Sequence, residues 1–151
     1  MKGVTRAFGR ALQAACYRLP LSANRPSMGP MNRWLLVGAV NGFLAVAAGA
    51  FAAHGLEPRV APRALEIFQT AAQYHLTHAL ALVGTSLIRG PGAKRAALAA
   101  WLFTGGIVLF SGSLYFLVLA NSTALVLATP LGGVSLLAGW AALAMAALKY
   151  E

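Results

Sequence analysis

The sequence predicts an all-α fold, an integral membrane protein built as an antiparallel four-helix bundle. Of its 151 residues, 59% are hydrophobic and 10% are charged, whereas soluble domains carry about a quarter charged residues. Four apolar stretches of membrane-spanning length are separated by short polar connections, and the basic residues concentrate in alternate connections. One domain of this length needs less apolar content to fill its core, so the excess is expected to face lipid.

Residues 1–30 form a basic extension without any acidic residue, in which Lys2, Arg6 and Arg10 recur every four residues. This spacing favours a short basic amphipathic helix. Three interpretations stay open: an arm on the membrane surface, an organelle transit peptide, or a disordered or untranslated segment with the true start at Met31. We favour the last, because Met31 and Asn32 are followed by a positive charge, an aromatic residue and an apolar run. The membrane domain is then 31–151.

The first predicted span, 34–53, contains no charge and has the ~20 residues that cross ~30 Å of hydrocarbon. The second, 68–88, follows Pro62, which suits the first turn of a helix, and it is the least apolar of the four. The third, 96–120, follows a basic turn. The fourth, 130–148, starts after Thr129, a residue type that caps helices.

Small residues recur at three-to-four spacing along the spans, a pattern that lets helix backbones approach closely in lipid. The glycines expected to pack in this way are Gly38, Gly42 and Gly49 in the first span, Gly105, Gly106 and Gly112 in the third, and Gly132, Gly133 and Gly139 in the fourth.

Charge asymmetry predicts the orientation. In a four-span arrangement, ten of the twelve Lys and Arg residues fall on one side, and only Arg59 and Arg63 fall on the other. Without the extension the division is five against two. Cytoplasmic loops are the basic ones, so both termini are expected in the cytoplasm, in the bacterial inner membrane or, for a eukaryotic source, the mitochondrial one. The same bias explains the net charge of +9 without nucleic acid, whose binding modules need a dedicated basic face.

The candidate site is a set of polar side chains expected at one depth. His75 and His78 are three residues apart and share a helix face, and ionisable groups inside a membrane are candidates for function. The outer half of the third span adds further polar groups, with a third histidine above them. The full set is His54, Tyr74, His75, His78, Ser111, Ser113 and Tyr115.

Three interpretations of this set remain: hydrogen bonds that join the helices, a metal or haem site, and a path for protons or small solutes. The chain has three acids and one cysteine, and no serine–histidine–acid set lies in the membrane, so catalysis is not expected. No cofactor is predicted. The preferred function is a non-enzymatic scaffold or accessory subunit in the lipid bilayer, whose partner is another copy or another membrane protein.

Four segments carry a resemblance to a known family: GAFAAHGL at 49–56, QYHLTHALAL at 73–82, FSGSLY at 110–115 and TPLGGVSLLAGW at 129–140. In these the chain resembles the domain-of-unknown-function 423 family, small four-helix membrane proteins that include the transmembrane protein 256 group of eukaryotes. The resemblance implies a polytopic membrane protein and supplies no activity. Family members typically begin near the equivalent of Met31, so the extension is a departure.

Overall fold

The structure, a computed structural model, describes residues 32–148. The basic extension 1–30, with its three interpretations, lies outside the described residues. So do Cys16, Lys149 and Glu151.

The described chain forms four helices that alternate in direction, which confirms the predicted all-α bundle. They are α1 (Arg33–Leu56), α2 (Pro62–Leu87), α3 (Gly90–Leu119) and α4 (Ala128–Ala147). Their ends lie within three residues of the predicted span ends, except that α2 and α3 begin six residues earlier, outside the apolar stretch. By length and composition, α1, α3 and α4 are apolar enough to cross a membrane. Helix α2 has 26 residues and carries many more polar side chains.

The helix ends follow local sequence chemistry. Asn32 caps α1 by accepting the Leu35 N–H at 3.3 Å, and its side-chain amide donates to the Ser86 carbonyl at 2.9 Å. Pro62 occupies the first turn of α2, as expected. Helix α3 begins at Gly90, whose φ is +71, a conformation that glycine adopts without steric cost.

Helix α4 begins earlier than the apolar run suggests. The residue at its N-cap position is Leu127, and no side chain caps the helix. Thr129 therefore lies inside the first turn, where its hydroxyl contacts α3 instead of capping the backbone.

Two π-helical turns interrupt the regular helices, one at the end of α1 (Ala52–Leu56) and one in the middle of α3 (Ile107–Ser111). Each contains one extra residue per turn, so the side chains that follow are rotated relative to those before it. Such turns frequently accompany functional sites. Here the first lies within the segment 49–56 quoted above, and the second overlaps the start of the segment 110–115.

The core is made of small side chains that let the helices approach. Of the buried hydrophobic residues most are alanines, and Phe103 and Leu82 are the largest that are fully enclosed. The glycines expected to pack divide into two groups by what an added Cβ would meet. A Cβ would collide with a neighbouring helix at Gly38, Gly106, Gly132 and Gly139. It would meet open space or only loose contacts at Gly42, Gly49, Gly105, Gly112 and Gly133.

Large apolar side chains cover the outside of the bundle. Phe43, Leu137 and Leu127 are 74%, 72% and 79% exposed, an arrangement that suits lipid and that water would oppose.

Candidate functional site

His75 lies at the centre of a hydrogen-bonded chain that joins three helices. Its Nε2 is 3.0 Å from Oδ1 of Asn41 on α1, and its Nδ1 is 3.4 Å from the hydroxyl of Tyr115 on α3. The Asn41 amide group in turn donates to the Val37 carbonyl at 2.8 Å. His75 itself is 7% exposed.

The donor and acceptor of each bond can be assigned by starting from Asn41, whose amide orientation is fixed by its bond to a backbone carbonyl. Because the Asn41 Nδ2 donates to a backbone carbonyl, its Oδ1 is left as the acceptor facing His75. The imidazole therefore carries its proton on Nε2, and its Nδ1 accepts from the Tyr115 hydroxyl. With these assignments, the side chains of Asn41, His75 and Tyr115 are all hydrogen-bonded while the imidazole stays neutral.

His78 joins α2 to α4 through the opposite tautomer. The indole N–H of Trp140 lies 3.1 Å from His78 Nε2, and an indole can only donate. His78 Nε2 is therefore the acceptor, and its Nδ1–H donates to the Tyr74 carbonyl at 2.7 Å. The ring also packs against Phe103 at 5.6 Å between centroids.

Both imidazoles thus use both ring nitrogens inside the bundle. The lone pair that a metal ion would need is occupied by a Tyr115 hydroxyl in one case and a Trp140 indole in the other. Within residues 32–148 there is no group of three His, Cys, Asp or Glu residues that converge. The arrangement can link helices directly, whereas a metal or a proton would first have to displace these bonds.

The remaining members of the predicted set do not all join His75. The Ser113 hydroxyl lies 2.7 Å from that of Thr129, linking α3 to the start of α4. Tyr74 is 45% exposed and stacks on His78. His54 is exposed in the π turn that ends α1, outside both histidine networks.

Ser111 is the exception among the buried polar residues. It is 1% exposed, and its hydroxyl has no hydrogen-bond partner in the described part of the chain. It ends the π turn of α3 and lines the same cleft as Asn41, His75 and Tyr115.

Two partners of the histidines were absent from the predicted set, Asn41 and Trp140. Asn41 is the only amide side chain within the first predicted span, and that isolation in an apolar stretch was the available signal. For Trp140 the available signal was its position in the middle of a span, away from the interfaces that tryptophan favours, because a buried indole N–H usually finds an acceptor.

Comparison with known proteins identifies a matching family. A family model described as "Protein of unknown function (DUF423)" matches residues 48–133. The chain is 42% identical over 122 residues to the UPF0382 membrane protein YwdK of Bacillus subtilis, covering 80% of this chain and 99% of that protein. It is 40% identical over 120 residues to a UPF0382 membrane protein of Haemophilus influenzae, covering 78% and 95%. No solved structure is significantly similar.

Proposed function

The chain belongs to the DUF423 family of membrane proteins. We propose that it is a non-enzymatic scaffold or accessory subunit that associates laterally with another membrane helix. In this proposal α1 to α4 all cross the bacterial inner membrane, with both termini in the cytoplasm. The observation that carries the proposal is a polar, lipid-facing surface where α1 meets α2.

This surface, the α1/α2 face, is a groove of about 490 Å³. Gln69 and Gln73, one turn apart on α2, are exposed along it, and within residues 32–148 their side-chain amides form no hydrogen bond. The opposite wall is made of small residues of α1, among them Ala45, Gly49 and Ala50.

The depth of Gln73 makes this surface unfavourable in lipid alone. Gln73 is two residues from His75, or about 3 Å along the helix axis, and His75 contacts Asn41 in the middle of α1. An amide without a partner in hydrocarbon costs about 4–8 kcal/mol on transfer from water to cyclohexane. A partner helix would supply the missing hydrogen bonds, and the small side chains of α1 would let it approach closely.

The interior of the bundle supports a structural role more than the two alternatives. A metal or haem site, or a path for protons or solutes, would draw on His75 and His78. Both are already engaged in bonds between helices. The polar groups still without partners therefore lie mainly on the outside, where another protein can reach them.

The proposed orientation is supported by the basic residues that lie together at one end of the bundle. Arg33, Arg89, Lys94 and Arg95 lie at the end where α1 begins and α2 ends. At that same end the Trp34 and Trp101 rings pack edge to face at 5.1 Å, as expected of aromatic residues at an interface.

Cysteine cross-linking in native membranes tests the association. In a Cys16→Ser background, Gln73→Cys is compared with Leu137→Cys, a 72% exposed position on α4 that serves as the lipid-facing control. A maleimide–benzophenone reagent, whose maleimide adds to the cysteine thiol and whose photoexcited benzophenone inserts into a C–H bond of any neighbouring chain, should give one discrete product from Gln73→Cys and none from Leu137→Cys. Mass spectrometry of that product distinguishes a second copy from another membrane protein.

A third variant connects the product to the groove. Gly49→Leu fills open space, since an added Cβ there meets no atom within 4 Å, and it should abolish the product while the protein still folds. No product from Gln73→Cys, or equal products from both cysteine positions, would contradict the proposal.

A further inference from the structure

We propose that a second surface, the cleft between α1 and α3, binds the uncharged, carbonyl-bearing head of a membrane lipid. The cleft has a volume of about 270 Å³. It lies on the other side of α1 from the α1/α2 face, so the proposal goes beyond lateral association. Its polar lining residues are Asn41, His75, Ser111 and Tyr115, and the rest of the lining is apolar.

Ser111 supplies the first argument. Other buried hydroxyls in the bundle donate to a carbonyl of their own helix, as Thr85 does to Leu82 at 2.7 Å and Ser86 does to Val83 at 2.6 Å. The Ser111 hydroxyl has no such partner although it is 1% exposed. Leaving a buried donor unpaired is costly, so a group that accepts its proton is expected in the cleft.

The neighbouring polar groups define what kind of head would fit. After their internal bonds, the Tyr115 hydroxyl and the Asn41 Oδ1 each keep capacity to accept one more hydrogen bond. No Asp, Glu, Lys or Arg lines the cleft. The cleft therefore offers one free donor and weak acceptors without charge, which suits a neutral carbonyl or ester group and opposes a phosphate.

The position of the cleft indicates that its ligand arrives from the bilayer. Leu44 and Val108, which line it, are 50% and 65% exposed on the lipid-facing surface. Ser111 lies eight residues from the end of α3 at Leu119, about 12 Å along the helix. The volume of 270 Å³ greatly exceeds the ~30 Å³ share of one water molecule, so it can hold a ring or a glycerol ester.

Two kinds of membrane lipid share this chemistry, glycerides and quinones, and photolabelling can separate them. The full-length protein in proteoliposomes is exposed to three probes with the same diazirine chain: a diacylglycerol, a benzoquinone and a phosphatidylglycerol. After irradiation, the labelled residues are located by mass spectrometry. We expect one of the two neutral probes to label the cleft around Leu44 and Val108 above the level on other lipid-facing residues.

Three variants make the test specific. Ser111→Ala removes only the unpaired hydroxyl and should fold normally, while the loss of one hydrogen bond lowers cleft labelling about three- to tenfold. Gly112→Leu, where an added Cβ meets only the Ile107 carbonyl oxygen at 4.0 Å, fills the cleft and should abolish labelling. Ser113→Ala, the matched control, removes a hydroxyl that faces Thr129 instead and should leave labelling unchanged.

Each labelling result either supports the proposed lipid site or contradicts it. Labelling by a neutral probe that depends on Ser111 and Gly112 supports the proposal and identifies the class of lipid. Labelling no stronger than on other lipid-facing residues, or unchanged in Ser111→Ala and Gly112→Leu, would overturn it. Equal labelling by phosphatidylglycerol would overturn the preference for an uncharged head.

Discussion

Trp140→Phe removes one hydrogen-bond donor from the bundle and little else. The indole N–H of Trp140 donates to His78 Nε2 at 3.1 Å, and phenylalanine keeps a ring that can pack edge to face on Phe103, 5.3 Å away between centroids. Side-chain hydrogen bonds between membrane helices contribute about 0.6 kcal/mol on average and up to about 1.7. We expect the free energy of unfolding to fall by an amount in this range.

Trp101→Phe is the matched control for the change in ring size. Trp101 is 62% exposed against 44% for Trp140, and in the described chain its indole N–H makes no hydrogen bond. Any cost common to both substitutions reflects the lost ring area. The excess cost of Trp140→Phe over Trp101→Phe then measures the bond to His78.

A double-mutant cycle with His78→Phe isolates the same bond. Reversible unfolding by SDS in mixed micelles, followed by far-UV circular dichroism, does not depend on tryptophan fluorescence and therefore serves all variants. The coupling energy should be about 0.6–1.7 kcal/mol. A coupling energy within about 0.3 kcal/mol of zero, or equal losses in Trp140→Phe and Trp101→Phe, would refute the assignment of His78 as an acceptor that links α2 to α4.

Two further predictions concern the other histidine and the glycines. Asn41→Leu leaves the His75 Nε2–H without its acceptor and should lower the free energy of unfolding in the same SDS assay by about 1–3 kcal/mol; an unchanged value would contradict the His75 network. Gly132→Ala would collide with the Phe110 backbone and should lower the thermal midpoint. Gly42→Ala meets open space and should raise it slightly through helix propensity, so a reversed order would contradict the packing described.

The helices themselves could be predicted because each is encoded locally. A run of about 20 apolar residues crosses a bilayer whatever the rest of the chain does, and residues such as Pro62 and Gly90 mark where the runs are interrupted. The family resemblance could be predicted as well, since the four segments that carry it are contiguous. Family comparison confirms it.

The partners of the candidate site could not be predicted in the same way. Which side chains meet depends on how far each helix is rotated about its axis, and the π turn at Ile107–Ser111 changes that rotation within α3. Sequence reasoning placed Ser111, Ser113 and Tyr115 in one layer with His75. In the structure Tyr115 bonds to His75, Ser113 bonds to Thr129, and Ser111 bonds to neither.

The role of the histidines illustrates the same limit. Spacing alone allowed His75 and His78 to hold a metal together, since residues three apart share a helix face. Their actual neighbours, Asn41 on α1 and Trp140 on α4, draw the two rings into separate networks. No local pattern in 73–82 contains that information.

The tautomers of His75 and His78 test the central claim most directly. ¹⁵N NMR of histidine-labelled protein in bicelles at neutral pH reports which ring nitrogen carries the proton, with His75→Gln and His78→Phe variants used to assign the signals. We predict two neutral rings of opposite tautomer, His75 protonated on Nε2 and His78 on Nδ1, both unmoved by stoichiometric Zn²⁺. A shared tautomer, a charged ring, or signals from both histidines that shift with zinc would contradict the account.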